Sequence, residues 1–274
     1  MVSLKRTLKS DLASSIEVLN PINQVISTSN LHTPLRYSAV LLSIGKTTHI
    51  CHQNIPLKKI RRRETVTYVS AIPRKLAKVW AQPTGEIASR LVAFLQTHID
   101  CPVWSRVYPH GEGWIEFVIS QYGIEHWRQQ LVQTPLPVSN SQPAPPIESD
   151  RLWKLQSGYE LCCRWQMLYR QTSSSHRPQV ESRMGASTAF QVSSPGLQSL
   201  VHCLVDMCDR WQQATPTQLL QQADQLVVAI EQCTAATRLK SAAAGDLSHW
   251  LTPAQIILEQ LLQRIWGGEP TEQF

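Results

Sequence analysis

A proline-rich segment, TPLPVSNSQPAPPIES at residues 134–149, divides the chain into two parts. Its five prolines cannot continue a helix, and they favour an extended, semi-rigid linker. Patterns typical of strands occur before this segment, and no convincing one follows it. Because 274 residues suffice for a hydrophobic core on each side, we predict a first domain at residues 1–132, a linker at residues 133–149 and a second domain at residues 150–274.

The first part mixes helical and strand patterns. Leu4, Leu8, Leu12 and Ile16 recur at helical spacing, which predicts an amphipathic helix over residues 3–19. This mixture predicts an α+β domain with helices on one face of a sheet. We further predict extended segments at residues 36–44, 54–70, 103–108 and 114–120, and helices at residues 72–81, 85–98 and 121–132.

The second part shows only helical patterns, apart from a Ser-rich loop after its first helix. Apolar residues fall on single faces, as Leu200, Leu204, Met207 and Trp211 do. This pattern predicts an all-α helical bundle. The predicted helices cover residues 150–171, 196–214, 216–237 and 246–266.

The two parts differ in charge. Residues 1–132 carry 16 Lys and Arg against 8 Asp and Glu, a net charge of +8, whereas residues 133–274 carry 10 against 12, a net charge of −2. The basic run PLKKIRRRE in the first part can engage several phosphates of a nucleic acid, with an affinity that falls steeply with salt. Alternatively, it is a solvated or partner-binding sheet edge, where Lys and Arg also discourage aggregation. The candidate phosphate-binding residues are Lys58, Lys59, Arg61, Arg62 and Arg63, extended by Arg74, Lys75 and Lys78.

No catalytic signature is found. The SIGKTT segment at residues 43–48 ends like a phosphate-binding loop, but Val40 stands where that motif needs its first glycine. In THICHQ, the possible ligands His49, Cys51 and His52 lack a second ligand pair elsewhere in the chain. We therefore expect neither an enzyme nor a metal or cofactor site.

The cysteines and the N-terminus bear on the cellular compartment. Seven cysteines at irregular spacings argue against a disulfide framework, and we interpret them as reduced residues that pack as small hydrophobes. The N-terminal MVSLKRTLKSDL lacks the apolar core of a signal peptide, and no apolar run approaches the ~20 residues that span a membrane. These features predict a cytoplasmic protein without membrane insertion.

Residues from TVTYVSAIPRKLAKVW to HGEGWIEFVIS resemble the N-terminal domain of arginyl-tRNA synthetases. Pro83, Ile87 and Ala88 fit the family's Pro-x-x-hydrophobic-Ala helix, and GEGWIEF fits its glycine-flanked aromatic strand. The second part resembles the family's all-helical anticodon-binding domain, the DALR domain. YELCCRWQMLYRQ resembles the first long helix of that domain, with Arg164 and Arg170 at the family's arginine positions.

The resemblance implies a non-catalytic tRNA-binding or RNA-binding paralogue, because the synthetase catalytic domain and its signatures are missing. In the family, the aromatic residue and the Asn of the glycine-flanked strand read a nucleotide of the tRNA D-loop. Trp114 keeps the aromatic residue and can stack on a base, whereas Glu116 replaces the Asn and brings a negative charge near phosphates. The alternative is that Trp114 and its neighbours are ordinary sheet residues after a hairpin turn, HGEG.

A second hypothesis is a protein-interaction or assembly subunit that kept the synthetase-like fold without RNA binding. Glu116 favours this hypothesis, and the basic run favours the first. Large aromatics at helical spacing are core residues in most proteins, but tryptophan is also enriched in binding hot spots. The tryptophans in question are Trp153, Trp165, Trp211, Trp250 and Trp266.

Overall fold

The computed structural model describes residues 3–20, 54–62, 65–99, 102–134, 136, 147–174, 194–238 and 242–266. Within these ranges the chain forms eight α-helices and one four-stranded antiparallel sheet. The chain divides into two compact units, Lys5–Ser120 and Gln121–Phe274, the second of which includes Met1–Leu4. We call them the sheet unit and the helical unit.

The sheet unit confirms the predicted α+β character. The predicted extended segment at residues 54–70 is a hairpin of two strands, and the segment at residues 36–44 lies outside the described residues. The elements of this unit are most of α1 (Leu4–Leu19), β1 (Leu57–Arg61), β2 (Val66–Ser70), α2 (Ile72–Trp80), α3 (Thr84–His98), β3 (Trp104–His110) and β4 (Trp114–Ile119).

The strand order β1-β2-β4-β3 places β4 inside the sheet. Lys58 pairs with Val69, Val69 pairs with Glu116, and Glu116 pairs with Tyr108. These four residues form one row across the sheet. Because side chains alternate between faces along a strand, this row lies on the face opposite Phe117, which is fully buried.

The turn between β3 and β4 requires glycine at two positions. Gly111 and Gly113 have φ angles of 54° and 77°, in the left-handed region that other residues seldom adopt. A Cβ atom on Gly113 would also stand 2.7 Å from the Cβ of Thr84, at the start of α3. HGEG is therefore a hairpin turn that approaches α3 closely.

The helical unit contains α4 (Gln121–Gln133), α5 (Ser149–Ser174), α6 (Pro195–Arg210), α7 (Pro216–Ala236) and α8 (Ala242–Trp266). Two of these helices begin with an N-cap residue followed by proline. The Ser194 hydroxyl accepts a hydrogen bond from the Leu197 N–H, and Thr215 forms a capping box with Gln218. Such caps satisfy backbone donors that lack partners within the helix, which explains why the sequence predicts these starts closely.

The helix α4 packs with the helical unit. Its buried residues include Ile124 and Trp127, and the Trp127 ring lies 6.5 Å from that of Trp250 on α8. The predicted domain boundary follows α4 in the chain because the proline-rich segment does, whereas the division between compact units falls between Ser120 and Gln121. The two boundaries differ because the apolar face of α4 packs on α8, which makes α4 part of the helical unit.

Three of the five described cysteines pack in the core as small hydrophobes. Cys162, Cys208 and Cys233 are free thiols in the core, and burial raises the pKa of each, that of Cys233 to about 12. A raised pKa keeps the thiol protonated and unreactive.

No helix in the described ranges is long and apolar enough to cross a membrane.

Candidate nucleic-acid interface

Glu116 stands in the middle of the sheet with its carboxylate fully buried. One Arg62 nitrogen, Nη2, lies 2.7 Å from Oε1 and donates a hydrogen bond of 2.9 Å to Oε2. The Tyr108 hydroxyl donates to Oε1 over 2.5 Å, and His110 Nδ1 lies 3.4 Å from Oε2. We call these four residues the Glu116 cluster.

The cluster compensates a buried charge. An isolated carboxylate in a protein interior costs several kcal/mol, and a paired, hydrogen-bonded one much less. The hydrogen bond to Glu116, followed by desolvation, raises the pKa of the Tyr108 hydroxyl, so that Tyr108 keeps the proton that it donates.

The position of Glu116 corrects its predicted role at the surface. Its carboxylate contacts side chains of the protein itself and is shielded from solvent, so it does not present a negative charge to phosphates. A buried Glu116 carboxylate therefore does not count against RNA binding. The acid instead holds Arg62 and His110, two exposed side chains, at the sheet surface.

Trp114 is half-buried at the start of β4. The Arg74 guanidinium lies over its indole ring, 5.1 Å from the ring centre, a cation–π arrangement. The Arg74 Nε also donates to the Glu112 carbonyl oxygen over 3.1 Å. A Cβ atom on Gly113 would be 3.0 Å from Arg74 Cγ, so the glycine permits this close approach. Trp114 and Arg74 thus form one fixed aromatic–cation pair.

The predicted basic run does not form a single patch. Lys58 and Lys59 pair with Val69 and Tyr68 and so lie on opposite faces of the sheet, because β1 is a strand. Arg62 reaches the Glu116 cluster, on the same face as Lys58. Arg63 lies outside the described residues, and Arg61 is the last residue of β1.

The other predicted cations of the sheet unit lie on α2. Lys75 Nζ donates to the Asn54 carbonyl oxygen over 3.1 Å, which joins α2 to the chain just before β1. Lys78 follows one turn after Arg74, and all three basic residues of α2 are exposed. Lys58 and Lys78 make no ion pair with an acidic side chain within the described ranges.

Three residues of this surface were not predicted. Arg106, Tyr108 and His110 occupy alternate positions of β3 and therefore share the face that carries Glu116. Arg106 is exposed, and its charge acts on the Tyr108 hydroxyl. Two signals in the sequence predict this position. The turn at HGEG sets the register of β3 against β4, and strand alternation in WSRVYPH then puts these residues on the face of Glu116.

Arg164 and Arg170 belong to the helical unit. Both are exposed on α5, and Arg164 forms an ion pair with Glu160 one turn away. Arg170 lines a groove between α5 and α8 together with Gln166 and Gln255. Their predicted role in RNA binding stays a prediction.

Comparison of the chain with family models, with curated proteins and with solved structures found no match. The described residues contain no group of three or more His, Cys, Asp or Glu that could hold a metal ion. The THICHQ segment, with the possible ligands His49, Cys51 and His52, lies outside the described residues.

Proposed function

We propose that the protein binds structured RNA, such as tRNA, through the exposed cations of the sheet unit, and that it does so without catalysis. The observation that carries this proposal is the arrangement of Lys58, Arg62 and Arg106 on the face that also holds Trp114. The exposed cations Lys58 and Arg106 lie on the two edge strands, which are separated by three strand spacings of about 4.8 Å, or about 14 Å. Cations this far apart can contact different phosphates.

The two chemistries of this surface have different roles. The cations attract phosphates regardless of the nucleotide sequence of the RNA, and their binding releases counterions that had condensed on the RNA. Trp114, with Arg74 on one side, offers an aromatic surface for an unstacked base, a contact worth ~1 to 3 kcal/mol. The Glu116 cluster does not oppose binding, because Arg62 and His110 lie between the carboxylate and solvent.

We further propose that the protein is a non-catalytic relative of arginyl-tRNA synthetase whose helical unit corresponds to a DALR-type anticodon-binding domain. The support is the order of elements: β2, α2, α3, β3 and β4 follow one another as the resemblance implies, and only helices follow them in the described ranges. A turn with two glycines at positive φ, followed by Trp114 at the start of β4, also supports it, because the resemblance implies a glycine-flanked aromatic strand there.

Equilibrium binding of fluorescently labelled tRNA, followed by anisotropy between about 50 and about 300 mM NaCl, tests the RNA proposal. Lys58→Ala with Arg106→Ala removes two exposed charges and should lower the slope of log K against log salt by roughly two. Trp114→Ala should weaken binding by ~1 to 3 kcal/mol with the slope unchanged.

Arg210→Ala, an exposed cation of the helical unit, is the matched control and should bind as the wild type does. Circular dichroism confirms that each variant is folded. Absence of wild-type binding at the lowest salt, or a Lys58/Arg106 double variant with an unchanged slope, would reject the proposal.

The alternative, a protein-interaction subunit, is favoured by a different observation. Trp153 on α5 is 68% exposed, whereas Trp211 and Trp250 are fully buried. The exposed tryptophan does not belong to the core of the helical unit, and it lies in the part of the chain, residues 133–274, whose net charge is −2.

A further inference from the structure

A continuous stripe of exposed and half-buried side chains runs along α5. Its apolar members, Trp153, Met167 and Leu168, are 68%, 54% and 43% exposed, respectively. The members of the stripe follow one another at intervals of three or four residues, apart from one adjacent pair, and therefore share one helix face. This α5 stripe consists of Trp153, Ser157, Glu160, Arg164, Met167, Leu168 and Gln171.

The charges and apolar ends of the stripe complement each other when a second copy runs in the opposite direction. Glu160 and Arg164 are equally far from the level of Cys162, one before it and one after. Trp153 and Gln171 are also equally far from that level, and Met167 and Leu168 lie within one helical turn of Gln171. Cys162 itself is buried on the opposite side of the helix.

Two copies of α5 that cross antiparallel at the level of Cys162 would therefore complement each other. Glu160 of each copy would face Arg164 of the other, and the Trp153 indole of each would cover the Met167–Leu168 end of the other. The two ion pairs that Glu160 and Arg164 form within the separate helices, one in each copy, would be exchanged for two between the copies. A two-fold symmetric interface requires this kind of self-complementarity.

We propose that the α5 stripe is the contact surface of a homodimer with two antiparallel α5 helices. The proposal does not depend on the RNA-binding surface proposed for the sheet unit, because it involves only the helical unit. Trp153 supplies most of the apolar contact, since aromatic side chains bury much area at little entropic cost. The exchanged ion pairs set the register and the partner, which is what charge complementarity at exposed sites does best.

The size of the stripe indicates a weak dimer. From Trp153 to Gln171 it measures about 27 Å by about 10 Å, or about 300 Å² per copy. Standard interfaces bury about 800 Å² per partner. Contacts of flanking side chains add to the area, but the association should still be reversible in the micromolar to millimolar range.

Sedimentation velocity of the nuclease-treated protein, from about 5 to about 500 μM, tests the proposal. The mass should rise with concentration from the 31.0 kDa of one chain towards twice that value. Trp153→Ser should weaken association about tenfold or more. Tyr122→Ser is the matched control, because Tyr122 is 59% exposed on α4 and lies outside the stripe, so its loss should change nothing.

Charge reversal tests the register. Glu160→Arg and Arg164→Glu should each face like charges in a homodimer and stay monomeric at every concentration, while an equimolar mixture of the two variants should associate as the wild type does. The double variant Glu160→Arg with Arg164→Glu should also associate. A wild type that stays monomeric at about 500 μM would overturn the proposal, as would single variants that dimerise normally or a mixture that does not.

Discussion

Replacing Glu116 with Gln keeps the shape of the side chain and removes the charge on which the Glu116 cluster depends. The carboxylate is fully buried and accepts hydrogen bonds from Arg62 and Tyr108 on its two oxygens, whereas an amide offers one acceptor and one donor. Breaking a fully buried ion pair costs about 3 to 5 kcal/mol. The Arg62 side chain is 47% exposed and recovers hydration, so we expect a loss of about 2 to 3 kcal/mol.

Native-state hydrogen exchange followed by mass spectrometry measures this loss locally. The opening free energy of β4 amides should fall by about 2 to 3 kcal/mol, while peptides from α6 and α7 in the helical unit serve as an internal control and should not change. A double-mutant cycle with Arg62→Gln should give a coupling energy of about 1 to 3 kcal/mol. A change below about 0.5 kcal/mol in β4, or a coupling energy near zero, would refute the structural role of the cluster.

The remaining predictions concern a turn, a cap and an ion pair. In urea unfolding, Gly113→Ala should destabilise the protein by about 1 to 3 kcal/mol more than Gly111→Ala. Both glycines have positive φ, but only a Cβ atom at position 113 would clash with Thr84 and Arg74. Equal costs for the two variants would contradict the close approach. Thr215→Ala should cost ~1 kcal/mol through loss of the capping box, and a loss confined to a few tenths would count against it. A hydrogen bond from Arg128 lowers the pKa of the Glu125 carboxyl. The pair therefore stabilises the fold above pH ~4.3, and this stabilisation is lost as the pH falls through the folded-state pKa of Glu125. Glu125→Gln should flatten the pH dependence of stability below pH ~5, and an unchanged profile would be inconsistent with the pair.

The helices and the β3–β4 hairpin were predictable because their signals are local. Ser194 and Thr215 followed by proline mark two helix starts, and the HGEG glycines mark the turn. The place of α4 was not predictable in this way. Its boundary in the sequence is the proline-rich segment, but its partner is Trp250, far along the chain.

The Glu116 cluster depends on contacts at two sequence separations. Tyr108 and Glu116 face each other through the hairpin register, so the turn at HGEG and strand alternation were sufficient to pair them. Arg62 is 54 residues from Glu116 in sequence, and no local pattern joins the two. The sequence therefore predicts a surface charge for this lone glutamate in an apolar strand, whereas long-range packing makes it a buried acceptor.

Tryptophans show the same limit of local reasoning. Helical spacing places Trp153, Trp165, Trp211 and Trp250 in helices, but the depth of each depends on which helix faces pack together. Trp165, Trp211 and Trp250 are buried, and Trp153 is 68% exposed. Periodicity within one helix identifies its apolar face only where that face has a partner in the same chain.

Photochemical cross-linking of the protein to bound tRNA, with mass spectrometry to map the linked residues, tests the central proposal of an RNA-binding sheet surface most directly. We expect cross-linked peptides from the sheet unit, including the one that contains Trp114, because a stacked base lies within reach of the indole. The yield should fall as the salt concentration rises, since phosphate contacts weaken. Cross-links confined to the helical unit, or no cross-link from the wild type at low salt, would contradict RNA binding by this surface.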